Sequence, residues 1–472
     1  MQFNSIIFLF YMAIVFILYW LLNNKHATVI PRNIFIIIAS YIFYAYADYR
    51  FTIVLFTTSL ISYISGRAIL SNRSNKKAIV FLNIVITVGV LFVIKYYNLF
   101  ADTFCQLLGV SSDNVTISLI LPLGLSFYSF MALGYVLDCY KGKIEKNPDA
   151  ISFFSFISFF PHLLMGPIDR GRDMIPQFER KVVFDYSLVI SGLRQILWGL
   201  FTKVVVADSI GSFVDPVWAN PYEFNSVTLV LTACLYSIQI YADFSGYSNM
   251  AIGIGKLLGI RMMKNFDFPY FSRNIAEFWH KWHISLTRWF TEYLYIPLGG
   301  NRKGKSRTIM NTIVVFALCG FWHGANWTFL FWGLANGFFF IPILLQKSPK
   351  KYKNIPVEFS YKTLVQMLLT FCLASFSLMF FRAENIASFC DYMTCIGSNY
   401  NASLASFWKL SLLMVFYVIF EWFHRNKEFG LSIENEKLFK NKPVRWGLYY
   451  ALLFSAIYYS LNVDVEFIYS QF

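Results

Sequence analysis

Apolar stretches long enough to cross a bilayer recur along the whole chain, separated by short polar segments. A helix of about 20 residues, within a range of about 17–25, spans the hydrocarbon core of a membrane. The first stretch is not followed by a small-residue cleavage site, so we interpret it as a retained helix rather than a signal peptide. The pattern predicts membrane helices near residues 6–22, 33–47, 51–66, 79–97, 117–138, 188–207, 227–242, 309–322, 327–345, 361–381, 405–423 and 446–462.

Two short apolar pieces and one mixed region interrupt this pattern. The pieces lie at 151–165 and 250–260, and the region from Asp243 to Arg307 mixes basic, acidic and aromatic residues. Such segments are typical of re-entrant or interfacial helices, whose backbone is satisfied by protein or water. We therefore predict an all-α integral membrane protein with roughly 11–13 transmembrane helices plus re-entrant and interfacial helices. Because no repeat or long linker is visible, residues 1–472 are predicted to form one domain.

Composition supports a membrane protein and argues against nucleic-acid binding. Hydrophobic residues make up 57% of the chain and charged residues only 14%, whereas soluble proteins carry about 25% charged residues. Lipid must therefore be the solvent for much of the surface. The net charge of +14 comes from lysines and arginines clustered between the apolar stretches. Such clusters are typical of loops that face anionic lipid.

The distribution of basic residues predicts the orientation of the chain. The alternate loops at 98–116 and 208–225 contain acidic residues but no lysine or arginine. Since basic loops stay on the cytoplasmic side, we predict a multi-pass protein of the cytoplasmic (inner) membrane. The N-terminus and the C-terminal tail, residues 463–472, are then extracytoplasmic. The basic clusters lie near 25–32, 67–77, 141–146, 347–353 and 425–445.

Two histidines, His283 and His323, lie in tryptophan-rich apolar surroundings. A neutral imidazole can accept a proton from a hydroxyl group in a transition state, and burial favours the neutral form. No Gly-x-Ser-x-Gly motif is present, so a serine hydrolase is not indicated. The alternative is that each histidine is a structural residue of the core. An ionisable residue at membrane depth is nonetheless a candidate functional residue.

A metal site is the competing interpretation of the histidines. The spacing Glu277-x-x-His280-x-x-His283 would place three ligands on one helical face. A carboxylate-bridged iron site needs a second such set, and neither that set nor an HExxH motif is present. We therefore predict no metal and assign His280 a structural or interfacial role. The seven cysteines are scattered; Cys390 and Cys395 form either a bridge or, as we expect, two free thiols.

Three further features have both structural and functional interpretations. Asp243, in the segment YADFSGY, is a helix-end cap, a partner for an arginine, or a polar wall that orients a histidine. Asp169 and the neighbouring arginines, Arg170 and Arg172, are expected to be structural. The aromatic tail FIYSQF, residues 467–472, by itself predicts only an anchor at the membrane surface.

The motifs together resemble the membrane-bound O-acyltransferase (MBOAT) family, in particular its bacterial alginate O-acetyltransferase-like branch. They cover most of the chain, and the last three are the most specific. The motifs are YAYADYRF (44–51), LPLGLSFYSFMALGYVLDCYKG (121–142), FFPHLLMGPIDR (159–170), QIYADFSGYSNMAIGIGKLLGI (239–260), FWHKWHISLTRWFTEYLYIPLGGNR (278–302) and FWHGANWTFLFWGLANG (321–337).

This resemblance implies a helical fold around a central tunnel or funnel, with His323 and His283 as the catalytic pair. It further implies that Tyr469, within a Phe-x-Tyr-x-x-Phe tail motif, carries the acyl group. A thioester inside the cell is the donor, and an extracytoplasmic acyltransferase partner modifies the polymer. No bound cofactor or nucleic acid is expected, and membrane lipid is the surrounding partner. Four residues are expected to line the tunnel or bind substrate: Asp243, Trp282, Trp322 and Asn326.

The resulting hypothesis is O-acylation of a cell-envelope or exported polysaccharide. The donor is expected to be acetyl-coenzyme A, with an acyl carrier protein as the alternative donor. His323 would act as general base on Tyr469, and His283 would orient or polarise the thioester. Two alternatives remain: D-alanyl transfer to teichoic acid, and a transporter or flippase without acyl chemistry.

Overall fold

The structure, a computed structural model, describes residues 1–23, 28–71, 75–112, 115–117, 120–346, 360–400, 408–433 and 436–462. Within these ranges the regular structure is helical throughout, which confirms the predicted all-α class. Six helical segments are long and apolar enough to cross a membrane, and each overlaps a predicted span. They are Phe51–Leu70, Lys76–Leu108, Tyr186–Ala219, Ser226–Leu257, Trp327–Leu345 and Tyr361–Arg382.

Three shorter apolar helices also overlap predicted spans. The predicted total of roughly 11–13 transmembrane helices counted such shorter segments together with the long ones. By its contacts the chain divides into two compact units, one of residues 1–193 and 251–263 and the other of residues 194–250 and 264–472. The single membrane domain stays a prediction. The shorter helices are Ile6–Leu22, Ile30–Ala45 and Leu410–His424.

The first unit is built from membrane helices and short helices between them. Its core includes the fully buried Arg32, whose guanidinium donates hydrogen bonds to the Phe178 carbonyl at 2.8 Å and to Asn33. Such a buried cation requires internal acceptors. The helices are α1 (Ile6–Leu22), α2 (Ile30–Ala45), α3 (Phe51–Leu70), α4 (Lys76–Leu91), α5 (Tyr97–Leu108), α6 (Leu125–Tyr140), α7 (Ala150–Ser158), α8 (Phe160–Leu163), α9 (Gly171–Glu179) and the start of α10 (Tyr186–Phe201).

Polar residues between α7 and α9 have structural partners in this unit, as predicted. Asp169 accepts a hydrogen bond from the Met263 backbone amide at 2.9 Å and lies 3.2 Å from Nδ1 of His162. Arg172 pairs with the buried carboxylate of Asp138 at 3.2 Å. These contacts hold an irregular turn in place.

The second unit contains the later membrane helices and the histidine-rich region. All seven cysteines of the chain are free thiols, so Cys390 and Cys395 form no bridge. The helices are the rest of α10, α11 (Asp208–Ala219), α12 (Ser226–Leu257, shared with the first unit), α13 (Ile275–Lys281), α14 (Ile284–Phe290), α15 (Lys305–His323), α16 (Trp327–Leu345), α17 (Tyr361–Arg382), α18 (Ile386–Ser398), α19 (Trp408–His424), α20 (Lys437–Lys440) and α21 (Lys442–Asn462).

Three helices continue beyond the ends that the apolar pattern predicts. Helix α5 extends to Leu108 within the predicted loop 98–116, and α11 extends to Ala219 within the predicted loop 208–225. Helix α12 includes residues 250–257, which were predicted to be part of a separate short piece. A continuous helix satisfies its own backbone, so polar side chains need not end it when they find partners.

One such partnership is a buried ion cluster in the second unit. Helices α10 and α11 are joined by a π-helical turn, Thr202–Ala207. From this turn the ammonium group of Lys203 pairs with Asp208 at 2.7 Å and with Asp243 at 2.8 Å. Asp243 therefore lies inside α12 and pairs with a lysine, so the prediction that it caps a helix end is wrong. The wide π turn brings Lys203 to both carboxylates.

Helices α15 and α16 pack backbone against backbone through two glycines. A Cβ atom at Gly320 would overlap the carbonyl oxygen of Phe329, and one at Gly333 would overlap the carbonyl oxygen of Phe316. Small residues at these positions allow membrane helices to approach closely. The contact fixes the end of α15, and with it His323, against α16.

The glycine contact predicts that Gly320→Ala destabilises the second unit. The added methyl group meets backbone that cannot rotate away, and overpacking of this kind costs about 1–3 kcal/mol. Thermal unfolding of the purified protein in detergent should show a lower midpoint for Gly320→Ala than for Gly89→Ala. Gly89 also lies in a helix, but no atom lies within 4 Å of a Cβ added there. Equal midpoints for the two variants would contradict the close packing.

Candidate active site

His283 is held in a strained turn between α13 and α14. Its backbone has φ 43° and ψ 54°, a left-handed conformation that is unusual for a residue other than glycine. The turn is fixed by Asn265, whose backbone carbonyl accepts the amide of Ile284 at 2.8 Å. Strain of this kind persists only where the surroundings enforce it, and it is often found at functional sites.

The side chain of Asn265 determines which nitrogen of His283 carries the proton. Its Oδ1 atom lies 3.0 Å from Nδ1 of His283 and accepts the Ser285 hydroxyl at 2.9 Å. Its Nδ2 group donates to Ser248 at 3.1 Å, which orients the amide. Because Oδ1 can only accept, Nδ1 of His283 carries the hydrogen in the neutral ring. Nε2 of His283 is then a hydrogen-bond acceptor or a base.

Burial keeps this imidazole neutral. His283 has no exposed surface, and the ring of Phe244 packs edge-on against it with 4.7 Å between centroids. Burial lowers the pKa of His283 to about 3, because the charged form loses its hydration. The ring is therefore uncharged throughout the physiological pH range.

His323 is the last residue of α15 and lies beside His283. Its ring is almost fully buried and has Trp332 at 5.0 Å and Phe381 at 5.3 Å between centroids. After it, Gly324 is extended, and any side chain there would overlap the Phe329 ring. The helix end and the aromatic rings thus fix the direction of this histidine.

The two imidazoles form a pair with 6.3 Å between ring centroids. The sequence places them 40 residues apart, and the fold brings them together as predicted. Trp322 packs on both, at 4.9 Å from His323 and 6.2 Å from His283. Two imidazoles within one apolar, aromatic enclosure have the chemistry to accept and return a proton.

The other predicted site residues differ in how close they lie to this pair. Trp282 immediately precedes His283 and stacks on Phe278 at 5.3 Å. Asn326 caps α16 by accepting the Thr328 amide at 3.0 Å. Asp243 pairs with Lys203, while its neighbour Phe244 packs on His283. Tyr469, the predicted acyl carrier, lies outside the described residues.

The three residues that the metal interpretation would require do not lie in one common site. Glu277 forms ion pairs with Arg273 at 2.9 Å and with Lys281 at 3.2 Å. His280 is exposed on α13, whereas His283 is buried. Across the described part of the chain, no group of three or more His, Cys, Asp or Glu residues could hold a metal ion.

Sequence reasoning missed Asn265, which fixes the tautomer of His283. The asparagine lies 18 residues before the histidine in an irregular segment, so no helical spacing links them. It also missed Lys203 as the partner of Asp243. A signal for Lys203 existed, because it is a cation inside the predicted span 188–207.

Comparison with known proteins identifies the family of this chain. The sequence model of the membrane-bound O-acyltransferase (MBOAT) family matches residues 38–381. The probable alginate O-acetylase AlgI of Pseudomonas aeruginosa is 34% identical over 398 residues, covering 82% of this chain and 73% of that protein. The peptidoglycan O-acetyltransferase of Helicobacter pylori is 33% identical over 415 residues, covering 82% of this chain and 78% of that protein.

A more distant relative has another acyl group in its name. The teichoic acid D-alanyltransferase of Streptococcus thermophilus is 31% identical over 238 residues, covering 48% of this chain and 57% of that protein. The family match extends over most of the chain and includes both histidines of the pair. The chain therefore belongs to the membrane-bound O-acyltransferase family.

Proposed function

We propose that this enzyme transfers an acyl group, specifically acetyl, from a cytoplasmic thioester to Tyr469, for onward O-acylation of an exported or cell-envelope polysaccharide. The observation that carries the proposal is the buried pair of His283 and His323. The names of two relatives, an alginate O-acetylase and a peptidoglycan O-acetyltransferase, support acetyl transfer to a polysaccharide.

The proposed direction of transfer rests on the charge distribution. Basic clusters mark the cytoplasmic side of the inner membrane, which leaves the N-terminus and the tail outside. Helix α15 begins at the basic segment 302–307 and ends at His323. His323 is thus at the end of the helix away from the cytoplasm, from which the tail tyrosine would approach.

The proposed chemistry is one acyl exchange. The hydroxyl oxygen of Tyr469 attacks the thioester carbonyl as the imidazole of His323 accepts the hydroxyl proton. A carbon–oxygen bond forms, the carbon–sulfur bond breaks, and the imidazolium returns the proton to the thiolate. The products are an acyl-tyrosine ester and a free thiol. A phenol has a pKa near 10, so the ester remains reactive for the next transfer.

His283 has the complementary role of orienting the reactants. With its Nδ1 proton engaged by Asn265, Nε2 can only accept a hydrogen bond. It therefore cannot polarise a carbonyl as a donor, and of the two expected roles we retain orientation. A neutral acceptor beside His323 can hold the reacting hydroxyl or an N–H group of the donor in place.

The proposed exchange requires an acyl donor in the cytoplasm and an acyltransferase partner outside it. Acetyl-coenzyme A is the proposed donor, with an acyl carrier protein as the alternative. A separate extracytoplasmic acyltransferase would take the group from Tyr469 and place it on the polymer. No resident cofactor is required, because the thioester already supplies the activated acyl group.

D-alanyl transfer is the second candidate, favoured by relatives named teichoic acid D-alanyltransferases at 31% and 27% identity. These matches cover less of the chain, 48% and 57%, than the acetyltransferase matches do. The tyrosine motif on the main chain also favours acetyl transfer. Membership of an acyltransferase family disfavours the transporter hypothesis.

The shuttle predicts an acetyl adduct on Tyr469 after incubation with acetyl-coenzyme A. Intact-protein mass spectrometry with peptide mapping should locate it. His323→Ala should lower the rate of adduct formation by about 10²–10⁴-fold, the usual contribution of a general base. Tyr469→Phe should abolish the adduct, whereas the control Tyr458→Phe, at an exposed position of α21, should keep it.

Two results would revise this scheme. Thioester consumption that depends on His323 but leaves no adduct on Tyr469 would indicate direct transfer to another acceptor. Full adduct formation by His323→Ala would exclude its role as the base.

The Asn265 contact predicts a new pH dependence in Asn265→Asp. A carboxylate beside Nδ1 stabilises the imidazolium and raises the pKa of His283 from its value of about 3. Since the neutral ring is required, activity should fall as pH decreases through the raised pKa. The wild-type enzyme should show no acid limb from His283 above about pH 5, because its pKa is about 3.

Ser285→Ala is the matched control for this variant. It removes a donor to the same Oδ1 atom but leaves the Asn265 amide oriented by Ser248. Its pH profile should match that of the wild type. If the profile of Asn265→Asp also matched the wild type, the assigned tautomer of His283 would be wrong.

A further inference from the structure

A cavity in the second unit, which also contains His283 and His323, combines apolar walls with one buried carboxyl group. It has a volume of about 580 Å³, within the range of about 300–1,000 Å³ typical of ligand pockets. Its walls come from α12, the turn Pro269–Phe271, the first turns of α17 and the last turns of α19. The α19 wall lies beyond residues 38–381, the part of the chain that matches the family.

Glu421 supplies the carboxyl group. It is only 6% exposed, and its Oε1 atom accepts hydrogen bonds from the hydroxyls of Tyr241 and Tyr417, both at 3.0 Å. Both hydrogen bonds are accepted by Oε1 rather than Oε2. Among the described residues, the neighbouring cations His424 and Lys427 pair with Glu436 instead of Glu421. A buried carboxyl group in apolar surroundings requires a polar partner. Oε2 is the atom left for a ligand.

The walls around this carboxyl group are strongly aromatic. Half of the 14 lining residues are phenylalanine, tyrosine or tryptophan, including Tyr270, Phe371 and Trp422. Aromatic faces attract cations, and enclosures of aromatic rings bind ammonium ligands in other proteins. The carboxyl group of Glu421 adds a negative charge to this enclosure when it is ionised. The cavity is therefore complementary to an ammonium group on an apolar body.

The mouth of the cavity is apolar. Leu368 of α17 and Ile419 and Phe423 of α19 line it and are exposed, Phe423 by 72%. In a membrane protein such exposed apolar side chains face lipid chains. A ligand that enters here comes from the bilayer, so it carries hydrocarbon chains along these residues.

A second charge lies at the end of the same helix. Glu421 is one turn from the end of α19 at His424, and Arg425 follows four residues after it. The guanidinium carbon of Arg425 lies 3.8 Å above the ring of Trp422, a lining residue. Arg425 lies in the turn that follows the helix, and its stacking on Trp422 places its guanidinium beside the wall of the cavity. An anionic group next to an ammonium group could therefore meet Arg425 while the ammonium meets Glu421.

We propose that this cavity binds an aminophospholipid of the surrounding membrane. The ammonium group of the lipid pairs with Glu421 and the aromatic rings, the phosphate faces Arg425, and an acyl chain lies along α17 and α19. Tyr241 and Tyr270 of the wall also pack on Trp282, at 6.2 and 6.0 Å between centroids. The bound lipid thus supports the aromatic layer behind His283, independently of which acyl group the enzyme transfers.

Native mass spectrometry of the full, delipidated chain in detergent tests the proposal. Three probes are compared: phosphatidylethanolamine, its N-acetylated form, which has the same chains but no cation, and phosphatidylglycerol. We expect phosphatidylethanolamine to bind with at least about tenfold higher affinity than either of the others, as expected for one buried charge pair. Equal affinities, or a preference for phosphatidylglycerol, would overturn the proposal.

Two variants separate the charge from the cavity. Glu421→Gln keeps the shape and should reduce phosphatidylethanolamine binding to that of the N-acetylated lipid, whereas Glu223→Gln, at an exposed position, should leave it unchanged. Leu368→Trp fills the mouth and should reduce binding of all three lipids while Glu421 is intact. A preference for phosphatidylethanolamine that survives either Glu421→Gln or Leu368→Trp would locate the lipid elsewhere and refute the assigned site.

Discussion

The structure depends on one constraint: polar groups that lie away from water must be satisfied by other groups of the protein. Lys203 is paired with two carboxylates, Arg32 donates to backbone carbonyls, and Asn265 uses both ends of its amide. In each case a partner far away in the sequence completes the contact. These contacts fix where helices bend, end or continue. The contact between Asn265 and His283 belongs to the candidate active site.

The candidate active site illustrates how this constraint can prepare residues for chemistry. The hydrogen bond from His283 to Asn265 satisfies a buried group, and the same bond selects the tautomer. Burial that would be costly for a charged ring keeps this ring neutral and able to accept a proton. The enzyme, a multi-pass membrane O-acyltransferase, therefore holds a neutral hydrogen-bond acceptor beside His323, which packs against Trp322, Trp332 and Phe381.

The sequence predicted those parts of the structure that depend on local pattern. Apolar length located the six long helices, and the aromatic context of His283 and His323 identified the pair. Helix ends were predicted poorly, because α11 and α12 continue past polar residues that find partners in space. Asn265 could not be predicted, since its role depends on a contact across an irregular segment. The tail with Tyr469 lies outside the described residues, so its role stays a prediction.

The glycine contact between α15 and α16 also limits how this enzyme could change its acyl group during evolution. At Gly320 and Gly333 the backbones of α15 and α16 are in direct contact, and any added side chain would overlap the facing backbone. Single substitutions at these positions therefore cannot adjust the position of the helix that ends in His323 without disrupting the packing. Under the proposed mechanism, room for a larger acyl group has to come from smaller residues in place of the surrounding rings, such as Trp322 or Phe381. Descendants with new acyl specificity would thus keep the helix pair unchanged and differ in the size of their aromatic residues.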